Sequence, residues 1–307
     1  MNSALVQEIL KAFDGLNHGP YPHFRPAHAK GILLKGTFTP SPAAADLTRA
    51  PHLAAKSTPV TVRFSNSTGV PVIPDNDPNA VPHGIAIRFH LGGGKHTDVI
   101  AHSTDGFPTR TPEEFVEFLK AALASGSSTE KPTPIEAFLG SHPSALEFVM
   151  KPKPMAASFA QENYFGVNAY KFTNASGAVK FGRYRVRAAA GTKYLDEASA
   201  KNQSPNYLFD EIQQRVTNGP VKFGISVQVA AEGDEVNDST VHWPEDRPQV
   251  AFGEITLSEV VAASKEEEQK ISYDAIPRVD GIEASGDPLL AARDAVYLAS
   301  TQRRQQS

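Results

Sequence analysis

Between Ala27 and His102 short apolar runs alternate with turn residues: AKGILLKGTF, TPVTVRFS, GIAIRFHL and TDVIAH are separated by segments such as VPVIPDNDPNAVP, dense in Pro, Asn and Asp. Runs of that length between such breakers read as strands. A second strand-rich block follows, with VNAYKFTNASGAVKFGRYRVRAAA turning as a hairpin around Asn174 to Gly177, then VKFGISVQVA and QVAFGEITLSE. Helical spacing lies between and after them. TPEEFVEFLKAALAS places Phe115, Phe118, Leu119 and Ala122 on one face behind Thr111 as N-cap and Pro112 in the first turn. PIEAFLGSHPSALEFVMK reads as a helical pair, YLFDEIQQRVTN as one helix, and DPLLAARDAVYLASTQRR as another, capped by Asp287 with Pro288 first in the helix. Together these predict an α+β fold: an antiparallel sheet or barrel with helices packed around it.

The chain has 307 residues, 40% hydrophobic and 21% charged, with a formal net charge of -4. That is enough chain for a large core, and it offers no basic field for nucleic acid. No apolar stretch reaches the roughly 18 to 20 residues of a membrane-spanning helix. The N-terminus reads as a short amphipathic helix ended by Gly15 and Pro20, without the basic start and apolar run of a signal peptide. The expected compartment is the cytoplasm, or the periplasm if an export signal has been removed. With no cysteine, disulfides, thiolate metal sites and a cysteine nucleophile are excluded.

On the last helix each residue turns about 100°, so Arg293 and Tyr297 lie about 40° apart and Arg304 returns to within about 20° of Tyr297. Ala291, Ala292, Ala295 and Ala299 would give that helix a slim surface for a flat cofactor. A tyrosine beside an arginine suits an anionic metal ligand, and an ordinary terminal helix with solvated arginines would look the same. In TPVTVRFS the period of two puts Val60, Val62 and Phe64 on one face and Thr61, Arg63 and Ser65 on the other, which is either solvated or the wall of a pocket. His28, three residues after Arg25, reads equally as core histidine, metal ligand or general base. His83, His90, His96 and His102 fit no compact zinc motif.

Taken in order, FRPAHAKG, TVRFS, PHGIAIRFH with TDVIAHSTDGFPTRTPEEFVEFL, TVHWPEDRPQVAFGEITL and PRVDGIEASGDPLLAARDAVY resemble the haem catalases, and more closely the small catalase-related peroxidases. The resemblance runs from Phe24 to Arg304. It implies a haem catalase-like β-barrel core with surrounding helices, lacking the C-terminal catalase extensions, as one domain over 1–307, with an N-terminal helix and arm at 1–22 and a proximal-ligand helix at 285–304. It implies haem b (iron protoporphyrin IX) as cofactor. Tyr297 matches the axial ligand of the iron, Arg293 the arginine bonded to its phenolate, and Arg25, Arg63 and Arg304 the arginines that neutralise the haem propionates. His28 matches the distal histidine, Ser65 the serine that orients its ring, and Phe115 a phenylalanine near the distal face. Where catalases carry a distal asparagine, this chain has His102.

The resemblance thus implies an oxidoreductase of the oxidative-stress response: a haem peroxidase reducing hydrogen peroxide and organic hydroperoxides with an organic electron donor, weak as a catalase because of His102. It would work as a monomer or homodimer, without nucleic acid or membrane. The rivals are a true catalase, a fatty-acid hydroperoxide isomerase on the same fold, and a haem carrier or sensor without turnover.

Overall fold

The computed structural model describes residues 3–306; Met1, Asn2 and Ser307, the ends of the expected single domain, lie outside the described residues. Ten strands run in chain order: β1 Gly31–Pro40, β2 Thr58–Ser65, β3 Gly84–Gly92, β4 Lys95–His102, β5 Tyr164–Phe165, β6 Tyr170–Thr173, β7 Val179–Ala188, β8 Val221–Val229, β9 Gln249–Val260 and β10 Ile282–Ala284. The helices are α1 Ser3–Leu16, α2 Pro51–Ala54, α3 Pro112–Ser125, α4 Pro134–Ser141, α5 Pro143–Met150, α6 Glu197–Lys201, α7 Tyr207–Asn218, α8 Ser264–Lys270 and α9 Pro288–Gln306.

Strands β7, β5, β4, β3, β2, β1, β9 and β8 follow one another in that order, each antiparallel to the next, and β8 pairs back onto β7. The sheet therefore closes into an eight-stranded barrel, which leaves no free edge in the ring. Strands β6 and β10 hang outside the ring from β7. The period of two fills the interior. Leu34, Val62, Ile87 and Val99 sit opposite one another across four strands and are at most 4% exposed.

The same register fixes the outer wall. Gly31, Ser65, Gly84, His102 and Phe165 form one row, and Leu33, Arg63, Ala86 and Ile100 form a second. The polar face expected in β2 is covered, since Arg63 and Ser65 are each 3% exposed. Helices α1, α3 and α9 pack together beside this wall through Val6, Ile9, Leu10, Val116, Leu119 and Val296.

Two local expectations need correction. Gly15 does not end the first helix, which runs to Leu16. Of the four alanines on α9 only Ala292 lines the cavity described below, while Ala291 is exposed and Ala295 and Ala299 pack on the α1–α3 cluster. The stripe that faces the cavity is Leu289, Ala292, Arg293, Val296, Tyr297, Ser300, Thr301 and Arg304, spaced by three and four as one helix face requires.

Candidate active site

A cavity of about 410 Å³ lies between the outer wall of the barrel and helix α9, within the usual size range of cofactor pockets. The nine residues to which the resemblance gives a role in the site all line it: Arg25, His28, Arg63, Ser65, His102, Phe115, Arg293, Tyr297 and Arg304.

His28 enters from the loop between α1 and β1. Its φ of 54° is left-handed, and the backbone is fixed on both sides, His28 N donating to Ser67 O and Ala29 N to Thr68 O, each at 2.8 Å. Ser65 Oγ lies 3.1 Å from His28 Nδ1. The ring rests on Gly84, where an added Cβ would stand 2.7 Å from Ser65 Oγ and 2.9 Å from His28 Nδ1. Only glycine leaves that space. On the far side of Gly84 in the same row is His102, whose Nδ1 accepts from Thr104 N at 3.3 Å. Burial, seconded by the charge of Arg63, pushes His28 down to about 4. Burial and then His28 push His102 to about 3. Both rings are neutral near pH 7. Phe115 belongs to an aromatic cluster at the cavity wall, 5.9 Å from Phe13 and 5.1 Å from Phe107 between ring centroids.

The opposite wall starts from a helix cap. Asp287 Oδ1 accepts from Leu289 N at 2.9 Å, opening α9, and its other oxygen accepts from Asn168 Nδ2 at 2.7 Å. Asn168 Oδ1 in turn accepts from Arg293 NH1. This leaves Arg293 Nε and NH2, each 3.2 Å from Tyr297 Oη, to donate to the phenol. A buried chain from Asp287 through Asn168 to Arg293 thus aims two donors of one cation at the tyrosine oxygen. Burial disfavours the Arg293 charge, yet the Tyr297 and Tyr170 oxygens hold the guanidinium above its ordinary value.

The third part is a cluster of positive charge. Arg63 donates through Nε and NH2 to Glu268 Oε2 of α8, at 3.1 and 2.8 Å. Arg25 NH1 stands 3.9 Å from the same oxygen, and Arg25 and Arg304 both donate to Ile271 O. Arg304 is 3% exposed and its Nε has no partner among the described residues. Burial, then the charges of Arg63 and Arg304, hold Arg25 well below the usual arginine range; burial and Arg63 bring Arg304 down to about 10. Three guanidiniums around one carboxylate leave two positive charges without counter-ions among the described residues. A buried surplus of that kind fits a ligand carrying two carboxylates. The cavity therefore fits a flat, dianionic, apolar-bodied group such as haem: carboxylate partners at one edge, a tyrosine oxygen on one wall and a histidine on the other.

The sequence did not point to Asn168, Glu268 or the second role of Asp287, because each gains its meaning from a residue more than a hundred positions away. Elsewhere on the barrel His96 meets Asp98 and Asp274. Asp98 is already taken up there, accepting from Arg88 Nε at 2.9 Å and from Asp274 N at 2.8 Å.

A closed barrel with a cavity of this lining on its outer wall is the scaffold of a protein that holds a flat, anionic cofactor. Residues 13–306 match the family model described as Catalase. The chain is 34% identical over 93% of its length to a catalase-related peroxidase of Mycolicibacterium paratuberculosis, covering 90% of that protein. It is 30% identical over 97% of its length to a catalase-related peroxidase of Synechococcus elongatus, covering 88% of it. The chain belongs to the catalase family. Among solved structures, a fungal catalase superposes with a TM-score of 0.80 at 24% identity over 96% of this chain, and catalase A of Saccharomyces cerevisiae with 0.78 at 23% over 96%. At such identity they bear on the fold alone, and this chain spans 62% and 64% of their lengths.

Proposed function

We propose that the protein is a single-domain haem b peroxidase that reduces hydrogen peroxide and organic hydroperoxides with an organic electron donor. The observation that carries this reading is one cavity in which a neutral histidine, an arginine-bonded tyrosine and a surplus of two buried positive charges converge. When bound, the haem supplies an iron that receives the peroxide and stores its oxidising equivalents.

Arg25, Arg63 and Arg304 would hold the two propionates, and Tyr297 would hold the iron through its phenol oxygen. Arg293 binds the tyrosine oxygen with two N–H groups and limits how much of its charge reaches the metal. His28, neutral across the physiological range, would take the proton from the bound peroxide. It returns that proton to the departing oxygen, which leaves as water or alcohol. Ser65 fixes the ring orientation for both transfers. His102, neutral and one row position from Gly84, places a ring where catalases hold an asparagine, and this supports peroxidase over catalase turnover.

The test is an absorption spectrum of the purified, haem-loaded protein beside Tyr297→Phe. The wild type should show a high-spin ferric haem spectrum that the substitution alters or abolishes. Identical spectra would remove Tyr297 from the iron.

A further inference from the structure

We infer that Tyr273 is a further binding residue for the dianion, its hydroxyl donating to a carboxylate beside the three arginines; this rests on the haem reading above.

Tyr273 lines the cavity, is 7% exposed, and its hydroxyl has no partner among the described residues. A buried O–H donor left unmade is costly, and such groups in a cavity wall mark the place of a ligand acceptor. Burial and then the charge of Asp98 hold this hydroxyl protonated, and the charges of Arg63, Arg25 and Arg88 act on it next; it therefore stands at the arginine end of the cavity rather than among the aromatic rings of α1 and α3.

The segment that carries it is pinned on both sides. Arg88 donates to Ser272 O and Asp98 accepts from Asp274 N, so the backbone is fastened to β3 and β4 before and after Tyr273. The Arg88 guanidinium lies 5.2 Å from the ring centroid and holds the ring by a cation–π contact. Two residues earlier, Ile271 O accepts from both Arg25 and Arg304. One extended segment thus sets two arginines through its carbonyl and adds a donor of its own. The guanidiniums provide the charge that two carboxylates need, and a neutral phenol adds direction without more repulsion. That matters where the arginines already depress one another.

The experiment compares wild type with Tyr273→Phe, which keeps the ring and the Arg88 contact. Haem dissociation is followed by transfer to excess apomyoglobin, once with haem and once with its dimethyl ester, in which both carboxylates are blocked. A hydrogen bond to a charged acceptor predicts roughly tenfold faster loss of haem from Tyr273→Phe, with no difference between the proteins for the ester. Resonance Raman of the loaded proteins should show a shifted propionate bending band in the variant. Equal haem dissociation from both proteins would overturn the assignment. So would an equal acceleration for haem and ester, which would mark a packing role. A wild type that takes up neither form would instead sink the haem reading itself.

Discussion

His28 adopts a left-handed backbone conformation at the point where its ring must lie on Gly84. Non-glycine residues held there are uncommon and cluster at functional sites, where flanking contacts over-determine them; here those are the hydrogen bonds of His28 N and Ala29 N. The position gives the ring a shielded place, and burial keeps it neutral down to about 4. A base that must be neutral to work loses activity only when the pH approaches that value. We expect the acid limb of kcat/KM for peroxide near pH 4, and His28→Gln should retain haem absorption while losing about 10²- to 10⁴-fold in turnover. A stopped-flow pH series on both proteins checks this, and unchanged turnover in His28→Gln would favour a carrier or sensor. At this scale the sequence was legible where its order of motifs resembled a family: His28, Ser65, Arg293 and Tyr297 all reach the cavity. It was silent on Asn168, Glu268 and Tyr273. Asn168 meets its partners 119 and 125 positions away, and Glu268 meets Arg63 at 205. No periodicity joins such positions.

Helix α9 has a double anchor. Asp287 caps it and, through Asn168, sets the arginine that faces Tyr297. Asp287→Ala should remove both functions, costing roughly 1–2 kcal/mol of stability for the cap and shifting the haem charge-transfer band as Arg293 turns. Asp287→Ser keeps a capping oxygen but cannot reach as a carboxylate does. It should recover most of the stability and keep the shifted band. Denaturation and absorption read separately would show it, and a Ser variant restored in both would place the whole effect in the cap. Helices α3, α7 and α9 and the long strands were readable because caps, Pro at the first turn and alternation are local signals. Strands β5 and β10, with 2 and 3 residues, and α8, with 7, were not. Their existence is decided by pairing with distant chain, and α8 is the element that delivers Glu268.

Among the described residues burial lowers four histidines, His90 in direction and three to definite values: His28 and His52 near 4 and His102 near 3. In the unfolded chain each of these three titrates at about 6.5. The unfolded state therefore binds protons first as the solution is acidified. Stability is complete above pH ~6.5 and is lost as the pH falls towards 4, at roughly 4 kcal/mol per pH unit where all three contribute. Urea midpoints of the apo-protein should drop steeply between pH 6.5 and 5, and a flat profile would mean that these rings are not buried when the cavity is empty. The arginine cluster has a different consequence, for the life of the protein rather than its chemistry. With two positive charges in surplus there among the described residues, haem would act as a folding ligand whose binding energy adds to native stability by mass action. Unfolding, more frequent until haem adds that energy, would expose the chain to proteases. In a cell short of haem, turnover would then remove the apo-chain and leave a pool sized to the cofactor that can arm it.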